Sequence, residues 1–228
     1  MSIKLGQSAV TFSDGSTQSV RFDKNLDQRG ELIKIDSFPG TNLHDMNNCG
    51  TYTWNKPSGC TMVRVIVVGG GGGGAGHGGG GGAGGFAEKW IANPASTVTV
   101  TVGCRGSGTH HHHTGSDGAT SSFGSYVSAG GGYGGNRNWG HTGGHGGVGH
   151  GGDINLYGGG GSGSDGRGAK GGMSFFGGSK FPGWHNNSHG ETGENHYMAP
   201  GAGGSGTHTN HGRGSHGAGG AVIVYSYK

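Results

Sequence analysis

Histidine is the residue of this chain best equipped for chemistry: there are 15 of them. His110, His111, His112 and His113 are consecutive, His141, His145 and His150 recur nearby, and His185, His189, His196, His208, His211 and His216 follow. Imidazole titrates near neutral pH and is the commonest metal-binding side chain, and histidine-rich tracts can hold metal. The competing reading makes them loop residues that offer hydrogen bonds and a flat ring to a ligand. An ordered zinc site needs partners that fix its ligands, and glycine flanks do not supply them. Asp117, Asp153, Asp165, Glu191 and Glu194 stand among the histidines. Catalytic groups must be held to within about 0.5 Å, and these sit in glycine-rich stretches, so no enzyme is expected. A phosphate cradle requires a strand–loop–helix context. Here the glycine run ending at Gly85 leads into Phe86-Ala87-Glu88-Lys89-Trp90, which reads as a strand. Recognition fits the remaining chemistry better. Tyr133, Trp139, Tyr157, Phe175, Phe176, Phe181, Trp184 and Tyr197 are scattered among Gly, Asn, Ser and His. Rigid aromatic anchors beside adaptable polar groups are what binding loops use. The expected receptor-binding set is Trp139, Tyr157, Trp184, His185 and Tyr197. Small apolar plugs between glycine strands are the other reading, and the preferred one for Phe175-Phe176.

The elements that must hold these residues are constrained by composition. Glycine supplies 62 of 228 residues, about four times the usual share. Glycine inside a helix costs about 1 kcal/mol relative to alanine, so a helical core is not expected. Charged residues are only 12%, whereas disordered chains tend to be highly charged. The formal charge is +3, and Arg105, Arg137, Arg167 and Arg213 each stand alone among glycines. A nucleic-acid surface gathers its basic residues on one face, so nucleic acid is not an expected partner. Cys49, Cys60 and Cys104 make an odd count, which argues against a disulfide framework. Cys49 and Cys60 could pair across a hairpin; otherwise the cysteines are expected to be small buried hydrophobes. Residues 1–6 lack the apolar stretch of a signal peptide, and no run of about 18 apolar residues suggests a membrane span.

Short strands recur along the chain. Val10, Phe12, Val20 and Phe22 alternate about Ser13-Asp14-Gly15-Ser16, the pattern of a hairpin. Leu32, Ile33 and Ile35 form a further strand, and Phe38-Pro39-Gly40 a turn. A new unit is expected near residue 50. It holds Thr51–Trp54, a turn at Lys56–Gly59, and Thr61–Val68, whose β-branched density marks a buried strand. Phe86–Ile91 and Ser96–Val102 flank a turn at Asn93-Pro94-Ala95, and Ser121–Ala129 alternates about Phe123, Tyr126 and Val127. The apolar run Ala221–Tyr227 needs a sheet to join, and the economical place is beside Thr61–Val68, closing a β-sandwich.

Residues 130–220 show no regular strand or helix, too long for a structureless loop in a compact domain. Glycine recurs there with a period of three. Positions 131, 134, 140, 143, 146, 149 and 152 are all glycine, with Arg137 the single break, and so are 70, 73, 76, 79, 82 and 85. Three residues per turn is the repeat of a polyproline-II-type helix. With five prolines a collagen helix is not expected. Glycine helices packed side by side and hydrogen-bonded laterally would satisfy their buried backbone groups. The expected fold class is therefore all-β: a glycine-rich sandwich with long loops or packed polyglycine-II-type strands, after a small N-terminal β element. Residues 1–50 form that element, 51–228 the glycine-rich domain, and about 130–220 its display region.

Two stretches resemble known proteins. Thr11-Phe12-Ser13-Asp14-Gly15-Ser16-Thr17-Gln18-Ser19 resembles an element near the N-terminus of tail-fibre-like proteins of T4-like cyanobacterial phages. Tyr52 through Val65 with the following glycine run, then Gly84–Glu88, Val100–Gly103, Ser121–Gly124 and Gly220–Tyr225, looks like a glycine-rich domain of phage fibre proteins. The glycine stretches are also similar to tip adhesins of T-even-like phages. The resemblance implies a non-catalytic, extracellular virion fibre component that recognises a host-surface glycan or outer-membrane protein. It also implies a homotrimer bound to other virion proteins, with residues 1–50 attaching or oligomerising. Some trimeric fibres hold iron through His-x-His pairs, so His111 and His113 are the candidate transition-metal ligands; no other cofactor is expected. The alternative is a purely structural fibre or capsid-decoration subunit.

Overall fold

A computed structural model describes residues 5–6, 9–11, 17–18, 30–39, 49–110, 113–137, 142–164, 168–179, 198–207 and 212–228. Within them the protein is all-β. β1 (Leu5–Gly6), β2 (Ala9–Thr11) and β3 (Thr17–Gln18) make a small antiparallel sheet. The pairs Val10↔Gln18 and Thr11↔Thr17 bracket the expected hairpin turn, which lies outside the described residues.

Two five-stranded antiparallel sheets form the sandwich. One has the order β12 (Ile154–Leu156), β7 (Phe86–Ala92), β6 (Met62–Val68), β13 (Ala221–Tyr227), β4 (Leu32–Phe38). The other has β11 (Gly149–His150), β10 (Val127–Ala129), β9 (Ser121–Phe123), β8 (Thr97–Val102), β5 (Gly50–Asn55). The period-two rule is clearest in β8, where Thr-Val-Thr-Val-Thr-Val turns Val98, Val100 and Val102 inward. They meet Val63, Val65, Val67, Val222 and Val224 of the facing sheet, with Trp54 edge-on to Phe123 at 5.5 Å.

The apolar C-terminal run does pair with the strand expected for it: Val224 faces Val65 and Tyr225 faces Arg64. The turn expected between β7 and β8 is present at Asn93 (φ 49°), and it carries the chain from one sheet to the other. Three local expectations need correction. Leu32–Phe38, placed by sequence in the N-terminal element, is the edge strand beside β13. Ser121–Ala129 is not one strand but two, folded back at Gly124 (φ 51°). Inside 130–220 two short strands exist, β11 and β12, each completing a sheet edge.

The cysteines also differ from expectation. Cys49 and Cys104 form a disulfide, while Cys60 is the free and buried one. β5 and β8 pair Gly50 with Val102, which brings positions 49 and 104 to one end of the sheet. A pairing between strand ends 55 residues apart leaves no mark in local spacing, so the buried-hydrophobe expectation holds for Cys60 but not for Cys49 and Cys104.

Candidate functional site

The glycine runs start where the strands end. Val68 pairs with Phe86 in the last β position, and beyond it Gly69 N donates to Gly85 O, Gly72 N to Gly82 O, and Ala75 N to Gly79 O, at 2.9–3.0 Å. The ladder continues, but with a step of three. A β-strand directs its backbone groups to two sides, so it has two neighbours. A helix with three residues per turn directs them about 120° apart and can donate to three neighbours and accept from three others.

Segment 69–76 does this. It donates to 79–85, to 113–119 (Gly70 to Ala119, Gly73 to Ser116, Gly76 to His113) and to 215–218 (Gly71 to Ala218, Gly74 to Ser215). It accepts from 103–109 (Gly106, Thr109), from 130–136 (Gly132, Gly135) and from 201–207 (Gly204, Thr207). Segment 78–85 is likewise enclosed by 69–76, 130–136, 142–148, 158–162, 168–173 and 201–207. The eight outer segments close a ring around the two central ones, each hydrogen-bonded to the next: Ser116 to Ser107, Gly115 to Gly135, Tyr133 to His145, Gly161 to Gly144, Ser162 to Lys170, Gly203 to Gly172, Ala218 to Ala202 and Gly217 to Gly106. The expectation of extended, laterally bonded glycine segments is met wherever the chain is described.

This arrangement dictates the composition. A Cβ added at Gly72 or Gly81 would meet the carbonyl of Tyr133 or of Gly72 closer than 3.0 Å, and backbone cannot yield as a flexible side chain can. In the outer ring some positions point away from the lattice, and side chains return there: Tyr133 (55% exposed), His145, Lys170 and Met173.

Five antiparallel hairpins of such segments run out from the sandwich and back: 69–76 with 78–85, 103–109 with 113–119, 130–136 with 142–148, 158–162 with 168–173, and 201–207 with 212–220. The described residues at the end of the hairpins away from the sheets are tied together. His77, in the left-handed region at φ 57°, donates its N–H to Thr207 Oγ1 at 3.0 Å. Gly76 N donates to Thr109 Oγ1, whose hydroxyl donates to the His113 carbonyl at 2.6 Å. Thr114 Oγ1 donates to Asn136 Oδ1, and His110 bridges to Arg213. The threonines are thus staples between neighbouring turns. The plate they form offers imidazole, guanidinium and amide groups, a chemistry suited to hydrogen-bonding a polar surface.

The candidate residues read from sequence are not gathered into one site. Tyr157 is at the opposite end, 77% exposed, where Val148 and Tyr157 bridge just past β12. Trp139, Trp184, His185 and Tyr197 lie outside the described residues, as does His111. His113 is exposed at the far end. Among the described residues no group of three or more His, Cys, Asp or Glu side chains is placed to hold a metal. Phe175 and Phe176 are not plugs between glycine segments: Phe175 stacks on Phe86 at 3.8 Å and Phe176 meets it edge-on, over the outer face of a sheet.

One constellation escaped the sequence reading. Arg64 Nε and Nη2 donate to the two carboxylate oxygens of Glu88 at 2.7 and 2.8 Å, on that same outer face. The hydrogen bond to Glu88 raises the Arg64 pKa above its ordinary value against a smaller opposing effect of burial. The signal was present as a charge inside the valine run Val63-Arg64-Val65, paired across strands.

Comparison with known sequences agrees with this fold. The profile of a glycine-rich domain matches residues 46–227. No curated protein matches the sequence.

Proposed function

We propose, from the premise that the chain belongs to the glycine-rich domain family, that it is a non-catalytic virion fibre component that recognises the host surface. In this reading the sandwich is the base, the lattice is a stiff spacer, and the end of the hairpins away from the sandwich is the contact surface. The partners are a host-surface glycan or outer-membrane protein and other virion proteins, in a homotrimeric, extracellular fibre. The observation that carries the reading is the division of labour between glycine and the rest. The glycines inside the lattice have backbone where a Cβ would stand, and only the small Ala75 and Ala83 interrupt them in the two central segments, so freedom for larger side chains lies in the outer wall and the turns. A scaffold that holds turns rigidly while leaving their residues free to vary is how binding loops are usually presented.

The test is adsorption. Purified chain is added to host cells before phage, and free phage is counted. Competition is expected, and it should disappear when the reversals are replaced by glycine-serine turns. Absence of both cell binding and competition would reject the reading.

A further inference from the structure

The outer face of the β12-β7-β6-β13-β4 sheet carries a second surface, distinct from the far end. Cross-strand register sets Trp90, Arg64, Tyr225 and Ile35 side by side in one row over four strands. Tyr227 and Leu32 lie in the next row. Three interstrand steps make the first row about 14 Å long. Arg64 sits between two rings, 5.9 Å from the Trp90 centroid and 5.6 Å from that of Tyr225, and Trp90 and Tyr227 are 5.5 Å apart. Trp90 is 43% exposed and Ile35 52%.

We propose that this row is a carbohydrate-binding platform for an oligosaccharide. The two halves of the face argue for the ligand class. The apolar half, with Ile66, Val68 and Phe86, is buried, and the chain's own Phe175 stacks on Phe86. The half left open is the one that contains the ion pair. An apolar protein surface laid on it would bury that pair, and desolvating a charge pair can cost more than its mutual attraction returns. A pyranose suits both components. Its C–H face stacks on Trp90 and Tyr225, whose rings are large, rigid and amphipathic. Its hydroxyls meet the charged groups, because the fork to Glu88 engages Nε and Nη2 of Arg64 and leaves the Nη1 hydrogens for a ligand. The Glu88 fork and the flanking rings hold the guanidinium in place before a ligand arrives, which lowers the ordering cost of binding. This platform does not depend on the role of the far end.

The experiment uses the full chain and soluble hexasaccharides of glucose, mannose and N-acetylglucosamine, together with purified lipopolysaccharide. Binding is read by calorimetry and tryptophan fluorescence. At least one probe should bind, Trp90→Ala and Tyr225→Ala should each weaken it about tenfold or more, and Trp90→Phe should keep part of it. Tyr133→Ala, on the lattice wall, should leave it unchanged. Ile35→Asp, at an exposed edge position, provides a second test should Trp90→Ala fold poorly, and should also weaken binding. The proposal is overturned if none of the probes binds, or if binding survives Trp90→Ala, Tyr225→Ala and Ile35→Asp. It is also overturned if light scattering shows the wild-type chain to be an oligomer that Trp90→Ala converts to monomer, since the face would then be a protein interface.

Discussion

The sandwich and the glycine lattice solve one problem with opposite means. In the sandwich, backbone groups pair in two directions, and valines, Trp54 and Phe123 fill the space between sheets. In the lattice, backbone groups pair in six directions and the space between segments vanishes. The first buries apolar area, worth roughly 25 cal/mol per Å². The second buries no large apolar side chain in its two central segments and depends on near-complete hydrogen bonding, because an unpaired buried backbone group costs about 1–3 kcal/mol. One tolerates volume changes; the other leaves no room at its central glycines, whose neighbours are backbone, and admits nothing larger than Ala75 and Ala83.

The sharpest way to break the comparison is an alanine at the lattice centre. Gly72→Ala or Gly81→Ala should destabilise the fold by about 4 kcal/mol or more, read as a shift in the urea midpoint. A mild effect would mean that the segments can move apart. Next in size is the bond that ties the two regions at one edge. Cys49→Ser with Cys104→Ser, or reduction of the wild type, should cost about 3–4 kcal/mol for a loop of this length, with thermal unfolding as the measurement. In the sandwich, Val100→Ala should cost about 2 kcal/mol. Less than the lattice substitution is expected, although Val100 is fully buried. The smallest effect belongs to the lattice wall, where Tyr133→Ala should change stability by less than about 0.5 kcal/mol. Its neighbour Gly132 has the Gly82 carbonyl in the place of a Cβ, so adjacent residues should differ about as much as surface and core. Amide exchange gives a separate check: the N–H groups of Gly70–Gly74 should exchange as slowly as those of β6, and rapid exchange would make the lattice a fluctuating array.

The Arg64–Glu88 pair adds a statement about pH. A raised folded-state pKa contributes stability that is fully present below the unfolded arginine value and is lost as pH rises through the folded one. The Arg64 contribution should therefore be constant from pH 6 to 9, and a denaturation series comparing wild type with Arg64→Met should show a constant difference caused by this group.

Much of the architecture was legible because its signals are periodic. Thr97–Val102 alternates in steps of two, the glycines recur in steps of three, and Ala221–Tyr227 is too apolar to stand alone. Each period follows from the direction in which consecutive residues point, a local property of backbone geometry. The reading failed where neighbours in space are strangers in sequence. Nothing local shows that Asn93 leads into the other sheet, that Leu32–Phe38 belongs beside β13, or that Cys49 meets Cys104. The candidate site was less legible still. Aromatic and histidine content pointed to recognition, yet Tyr157 and His113 stand at opposite ends. The Arg64 row was missed because it exists only across strands.

The sequence by itself determined that the chain is all-β and that its glycines run in steps of three. These follow from steric and directional rules acting within a few residues. Only the tertiary structure decided that two segments sit at the centre with six neighbours each, that five glycine hairpins lie side by side, and that Trp90, Arg64 and Tyr225 form a row. Those depend on which distant backbone group completes each hydrogen bond, and glycine, having no side chain, carries no label to say which.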